Sequence, residues 1–209
     1  MILLRILVLS PHPDDAELGA GATISRFKEE DYEIGVFLIA TKEKLPDEVH
    51  IKSRIPEFKN SMKILGVNDY IIGEYPIRNL YKFRQDLLDD IIQIQRDYQP
   101  DLVLMPSLTD IHQDHVVVAR ECIRAFNRKA KMLSYELPWN TRDFKPTFFV
   151  KINEKHLHKK IEALKCYKSQ ILLGKPYINV DFIKGIARYR GIQCNSIYAE
   201  AYETIYWYY

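Results

Sequence analysis

The chain has 209 residues, 47% of them apolar and 28% charged, with a formal net charge of +2. That length carries one α/β domain with a sizeable core over residues 1–209. The near-neutral balance excludes nucleic acid or a membrane surface as the main partner. Three cysteines, Cys122, Cys166 and Cys194, are odd in number and far apart, and no CxxC pair exists. Neither a disulfide framework nor a cysteine zinc site is expected, and a reducing cytoplasm fits. Arg5 interrupts the apolar start of the chain and no small-residue cleavage site follows, so no signal peptide is expected. No apolar run approaches the length of a membrane span.

Taken in order, Ile6 to Ser10 reads as a buried strand, Ala16 to Glu30 as a helix and Glu33 to Ala40 as a second strand. A polar loop, Thr41 to His50, leads to a helix over 51–65 that Gly66 ends. Asp69 to Gly73 is a short strand, and Tyr81 to Tyr98 a long helix with an apolar stripe, stopped by Pro100. Asp101 to Met105 reads as a buried strand, Asp114 to Arg128 as a helix and Met132 to Tyr135 as a strand. The remainder supplies a strand at Thr147–Lys151, a helix near Glu154–Gln170 and an aromatic strand, Tyr198–Tyr208, at an edge or a subunit contact. The alternation predicts an α/β fold, Rossmann-like and doubly wound, with a mostly parallel sheet and helices on both faces.

Ligands of such sheets bind beyond the carboxyl ends of the strands. Two polar clusters lie at such ends: Pro11-His12-Pro13-Asp14-Asp15 after the first strand, and Asp110-Ile111-His112-Gln113-Asp114-His115 after the strand at 101–105. His12 and Asp15 are three residues apart at a strand-to-helix turn, where imidazole and carboxylate can converge on a zinc ion. A bland alternative makes His12 a strand cap and Asp14 or Asp15 a helix cap. His112 and His115 repeat the spacing. Alone, each pair is ordinary. Together they offer three ligands plus acid and base groups, which is what a hydrolytic zinc with an open position needs.

These residues carry a resemblance. The chain resembles the PIG-L, or LmbE-like, N-acetylglucosaminyl deacetylases: His12-Pro13-Asp14-Asp15 matches their HPDD motif, and His112-Gln113-Asp114-His115 their HxDH motif. Ser53-Arg54 with Glu57, Tyr135-Glu136, Ser169-Gln170, Arg190-Gly191 and Tyr198-Ala199-Glu200-Ala201 resemble later landmarks, so the likeness covers nearly the whole chain. Ala16 stands where many members carry Glu, and Ala22 where many carry Gly, which blurs the subfamily. The resemblance implies one Zn2+ per chain held by His12, Asp15 and His115. It implies Asp14 as general base, His112 as the residue steadying the oxyanion, and Arg54 as a substrate contact. Such roles suit the chemistry of an activated water, with a cationic His112 facing the developing negative oxygen. Asp114 is expected to hold His112 or a ligand in one tautomer, against a helix N-cap. Arg54 has a rival reading as a pair with Glu57. Glu17 is expected to be structural, and His50, His156 and His158 solvated.

The implied activity is removal of an acetyl group from an N-acetylated amino sugar by a cytoplasmic homo-oligomer. A zinc amidase acting on a non-sugar amide or a thiol conjugate shares every ligand. A dinucleotide-binding module fails, because Gly19-Ala20-Gly21 lies inside a helical pattern and Ile24 replaces the third glycine. A catalytically silent scaffold would not need all these groups.

Overall fold

The computed structural model describes residues 4–42 and 48–208. Its centre is a seven-stranded sheet. In chain order come β1 (Arg5–Ser10), α1 (Asp15–Glu29), β2 (Glu33–Lys42), α2 (Glu48–Leu65) and β3 (Asp69–Pro76). A 3-10 turn (Leu80–Phe83) then leads into α3 (Arg84–Tyr98), β4 (Leu102–Pro106), α4 (Gln113–Phe126) and β5 (Lys131–Tyr135). The chain closes with β6 (Phe148–Ile152), α5 (Glu154–Leu164), α6 (Lys168–Leu172), α7 (Val180–Gln193) and β7 (Tyr198–Tyr206).

The strand order is β3-β2-β1-β4-β5-β7-β6. Strands β1 to β5 pair in parallel, and β7 runs antiparallel between β5 and β6. Alternation along each strand sorts the apolar side chains onto two faces. Ile6 and Val8 join a core beneath α1, α2 and α5, whereas Leu7 and Leu9 join a second core beneath α3 and α4. Helices therefore cover both faces, as a doubly wound parallel sheet requires. The order reverses between β1 and β4, and the two polar clusters follow those two strands. In an open α/β sheet that switch point opens a crevice.

Several expectations change. The aromatic strand β7 is internal, and the sheet edges are β3 and β6. The helix expected through Gln170 breaks at Leu164 and resumes as α6. Helix α7 was not expected, because Gly185 and Gly191 interrupt it and only Ile183, Ala187, Arg190 and Gly191 are buried. Helix α2 begins at Glu48, so His50 falls within it rather than in a loop, and the side chain of His50 lies outside the described residues. His156 is buried, completes a capping box with Asn153 and pairs with Glu29, while His158 is solvated as expected.

The late motifs prove to be ties between elements. Arg190 grips Glu136 through two nitrogens at 2.9 and 2.5 Å. Ser169 holds Glu57 through its amide at 2.8 Å and its hydroxyl at 2.6 Å. Glu200 accepts the amides of Ala22 and Thr23 and the Lys160 ammonium. Glu17, fully buried, accepts the hydroxyls of Ser61 and Tyr167, joining α1 to α2 and to the turn before α6. Gly19 lies inside α1 against the Tyr135 ring, where an added Cβ would sit 2.2 Å from a ring carbon. Close packing, not a phosphate turn, accounts for that glycine.

Candidate active site

The turn after β1 is shaped by its own residues. Ser10 Oγ donates to the His12 carbonyl at 2.7 Å and accepts the Ala16 amide at 3.1 Å. The turn passes through Asp14 at φ 96°, a left-handed conformation costly for a residue with a Cβ. Asp14 occupies the N-cap position of α1, yet its side chain makes no capping bond. The helix-cap alternative for Asp14 therefore falls. Its carboxylate is buried, with Oδ2 lacking a hydrogen-bond partner among the described residues.

His12 Nδ1 lies 3.1 Å from Asp15 Oδ2 and 3.1 Å from His115 Nε2. His115 Nε2 lies 3.1 Å from the same Asp15 oxygen. Three candidate ligand atoms thus form an equilateral triangle. Zinc bonds of about 2.0–2.1 Å in tetrahedral geometry imply ligand edges of about 3.3 Å, close to this spacing. The ring nitrogens of His12, His112 and His115 also lie within 4.8 Å of one another, so a histidine trio could hold a metal too.

The far nitrogens explain why a cation suits the triangle. His12 Nε2 meets Asp114 Oδ2 at 3.0 Å, and His115 Nδ1 meets Asp110 Oδ2 at 2.7 Å. In the neutral rings those nitrogens carry the protons, leaving lone pairs on the two nitrogens that face Asp15. Two lone pairs and a carboxylate oxygen then converge in a buried place, and positive charge between them relieves the repulsion. The proton affinities express the same demand. Burial disfavours a charged His115, but Asp15 and Asp110 outweigh it and raise the imidazole to about 10. His12 is raised against its burial by Asp114 and Asp15. Burial would lift the Asp15 carboxyl, yet His115 and His12 hold it well below the usual carboxylate range.

Asp14 behaves oppositely. Burial pushes its carboxyl up to about 7; Arg54 opposes the rise, and Asp15 and Glu17 add to it. Arg54 donates from Nη2 to the Pro13 carbonyl at 2.6 Å and lies 3.5 Å from Asp14 Oδ1. Its anticipated rival partner, Glu57, serves Ser169 instead. His112 caps α4, its Nδ1 accepting the Asp114 amide at 3.2 Å. The remaining proton of its neutral ring sits on Nε2. Burial, with the charges of His115 and His12, lowers His112 to about 4. With Nδ1 taken up by the Asp114 amide, a neutral His112 would present its Nε2–H as a donor, in place of the cationic form expected from the sequence. Asp114 is no N-cap; it holds His12, and its carboxylate also accepts the Arg78 and Leu80 amides at 2.6 and 3.3 Å.

All seven expected site residues gather at this end of the sheet, and six of them line a cavity of about 450 Å³ with Asp114 behind. Sequence reading assigned no role to Asp110, although it stands in the second cluster; an acidic residue five before a candidate ligand was the available signal. It also missed the cavity wall. Trp139 and Tyr177 stack at 4.3 Å and 13° between planes, and both face the cavity. The loop after β5 is tied to the second cluster by an Ile111 amide bond to the Asn140 carbonyl at 3.2 Å and by an Asp110–Thr141 bridge.

The family model described as GlcNAc-PI de-N-acetylase, PIG-L, matches residues 7–126, which include both clusters. The chain belongs to the PIG-L family. Similar proteins include YaiS of Escherichia coli K12, described as an uncharacterized deacetylase. That protein is 32% identical over 169 residues, covering 78% of this chain and 90% of the relative. The diacetylchitobiose deacetylase of Thermococcus kodakarensis is 25% identical over 221 residues, covering 94% and 81%. Among solved structures, the conserved protein TT1542 of Thermus thermophilus superposes with a TM-score of 0.78 at 26% identity, covering 99% of this chain and 97% of that one. No described helix is long and apolar enough to cross a membrane.

Proposed function

We propose that this protein is a zinc-dependent hydrolase that removes the acetyl group from an N-acetylated amino sugar of the N-acetylglucosamine type. One observation carries the reading: a buried, unpartnered oxygen of Asp14 shares a cavity with three ligand atoms spaced 3.1 Å apart. His12, Asp15 and His115 are the proposed ligands of one zinc per chain, with Asp110 and Asp114 fixing the two imidazoles. When bound, zinc polarises an amide carbonyl and makes water acidic enough to deprotonate near neutrality.

The remaining steps belong to the chain. Asp14 accepts a proton from the attacking water as the new C–O bond forms. His112 donates its Nε2 proton in a hydrogen bond to the oxygen of the tetrahedral intermediate. Asp14 then returns the proton to nitrogen as the C–N bond breaks, releasing acetate and a free amine. Arg54 is proposed to bind a substrate oxygen beside Asp14. Trp139 and Tyr177 offer an apolar wall suited to the C–H face of a sugar ring. The name of the relative described as a diacetylchitobiose deacetylase supports a sugar amide over other amides. The unpaired cysteines suit a reducing, cytoplasmic setting.

Acetate release from N-acetylglucosamine glycosides and from N-acetylated non-sugar amines, by zinc-loaded and chelated protein, tests the proposal. Release from the sugars alone, abolished by chelation and restored by zinc, is expected. Release only from the non-sugar amides would favour the amidase alternative, and full activity after chelation would remove the metal from the account.

A further inference from the structure

Among the described polar side chains lining the cavity, five are buried: His12, Asp14, Asp15, His115 and Gln170. The proposed chemistry uses the first four. Gln170 has no task in it, although it belongs to the Ser169-Gln170 pair that stands out in the sequence. Asn140 lines the cavity too, but it is only half-buried and its side-chain amide makes no bond to a described residue that would fix it.

The Ser169 hydroxyl decides how the Gln170 amide points. Ser169 Oγ has one proton, and Glu57 takes it at 2.6 Å. Toward Gln170 that oxygen can only accept. The Gln170 nitrogen Nε2 therefore faces it, at 3.4 Å, because Oε1 in that place would set two acceptors against each other. Oε1 is left with no donor among the described residues, on a side chain only 6% exposed. Unlike Glu17 Oε2, it is not sealed in the interior, and the opening beside it is the cavity that Gln170 lines. An acceptor so placed costs free energy unless a donor meets it.

The support behind the amide is firm. Arg54 and Glu57 lie one turn apart on α2, about 4.5 Å along its axis. Arg54 reaches Asp14, and Glu57 reaches Ser169. The Gln170 carbonyl takes the Lys175 amide at 3.2 Å, closing the turn that leads to Tyr177. Gln170 is thus held by the helix that steadies Asp14 and by the turn that carries the aromatic wall.

We infer that Gln170 is a specificity-determining residue whose Oε1 accepts a hydrogen bond from one hydroxyl of the sugar, with Ser169 as its positioning residue. This inference rests on the deacetylase reading of the same cavity. A fixed acceptor separates a hydroxyl from a hydrogen or an ether oxygen, because neither of those can donate. The wrong sugar is rejected because it leaves the buried acceptor unmatched.

The methyl glycoside of N-acetylglucosamine and three analogues, each lacking one of its free hydroxyls, test it. Acetate release is measured with zinc-loaded protein, and equilibrium binding with zinc-loaded Asp14→Asn protein. One analogue should lose roughly tenfold in kcat/KM and in affinity, the scale of one neutral hydrogen bond left unmade. Gln170→Met should erase that loss, handling the methyl glycoside and that analogue alike, while its response to the other two matches that of the parent protein. Ser169→Ala should shrink the same loss severalfold with zinc retained, and reads the discrimination even if Gln170→Met does not fold. Equal handling of all four sugars by the parent protein would overturn the assignment and leave the deacetylase reading intact. So would a discrimination that survives Gln170→Met or, if that variant does not fold, Ser169→Ala. A Gln170-dependent affinity difference without acetate release from any sugar would uphold the hydroxyl recognition and overturn the deacetylase reading.

Discussion

Asp114 Oδ2 lies 3.0 Å from His12 Nε2, the ring nitrogen that does not face Asp15 and His115. Asp110 does the same for His115 at 2.7 Å. Both imidazoles are thereby held with their other ring nitrogens turned toward Asp15. Removing such a partner typically costs about 10–100-fold in metal affinity. Asp110→Asn and Asp114→Asn should each weaken zinc binding by that order, measured by competition with a chromophoric chelator. Unchanged affinity in both variants would mean that the carboxylates do no more than pack.

Asp14 gives a stability signature independent of catalysis. An unfolded aspartate ionises near pH 4, whereas burial holds the folded Asp14 proton up to about 7. Between those values Asp14 holds its proton more in the folded metal-free protein than in the unfolded chain. The burial of Asp14 therefore destabilises it increasingly as pH rises through that window. Asp14→Asn should raise the Tm of metal-free protein at pH 8, with the gain shrinking as pH falls toward 4. A lower Tm at pH 8 would show that the charged carboxylate is well solvated.

As the proposed general base, the same group is expected to set the acid side of the rate profile. Activity should rise with pH as Asp14 ionises, at or below about 7, since bound zinc draws the value down. Arg54 lowers the Asp14 pKa from 3.5 Å away. Arg54→Ala should therefore move the acid limb to higher pH and reduce kcat/KM, whereas loss of a substrate contact alone would reduce kcat/KM without moving the limb.

His112 should act without titrating in the working range. Its ring is held neutral, with a value near 4. His112→Ala should retain zinc, lose about 10²-fold in kcat as for a lost oxyanion donor, and keep the shape of the alkaline side of the profile. Disappearance of an alkaline limb in that variant would restore the cationic role first expected from the sequence.

Much of this site was legible because its signals are local. One strand followed by His12-Pro13-Asp14-Asp15 and another followed by His112-Gln113-Asp114-His115 mark the proposed ligands, and the βα alternation brings them together across the switch point. What escaped depends on contacts distant in sequence. Asp110 is one more acidic residue until the His115 ring turns toward it, and Arg78 owes its place to Asp114, 36 residues away. The Trp139–Tyr177 wall joins the loop after β5 to the turn after α6, a pairing with no periodicity to announce it. Helix α7 escaped for a different reason, since two glycines and a narrow buried face give a weak pattern. The lowering of His112 by burial and by two neighbouring imidazoles is likewise invisible along the chain.

The scaffold behind the site is tight at Gly19. An added methyl would press on Tyr135, whose hydroxyl is tethered to the Leu9 carbonyl at 2.8 Å. Gly19→Ala should cost roughly 1–3 kcal/mol or more, as for other overpacked cores, measured by urea unfolding. A neutral result would mean that the Tyr135 ring yields easily.

Zinc stoichiometry across five variants tests the central claim most directly. His12→Ala, Asp15→Ala and His115→Ala should each fail to retain the one equivalent per chain held by the parent protein, while His112→Ala and Asp14→Asn retain it, as measured by elemental analysis after exhaustive dialysis. Retention in Asp15→Ala together with loss in His112→Ala would contradict the account, assigning the metal to the three histidines and leaving Asp14 without its proposed partner arrangement.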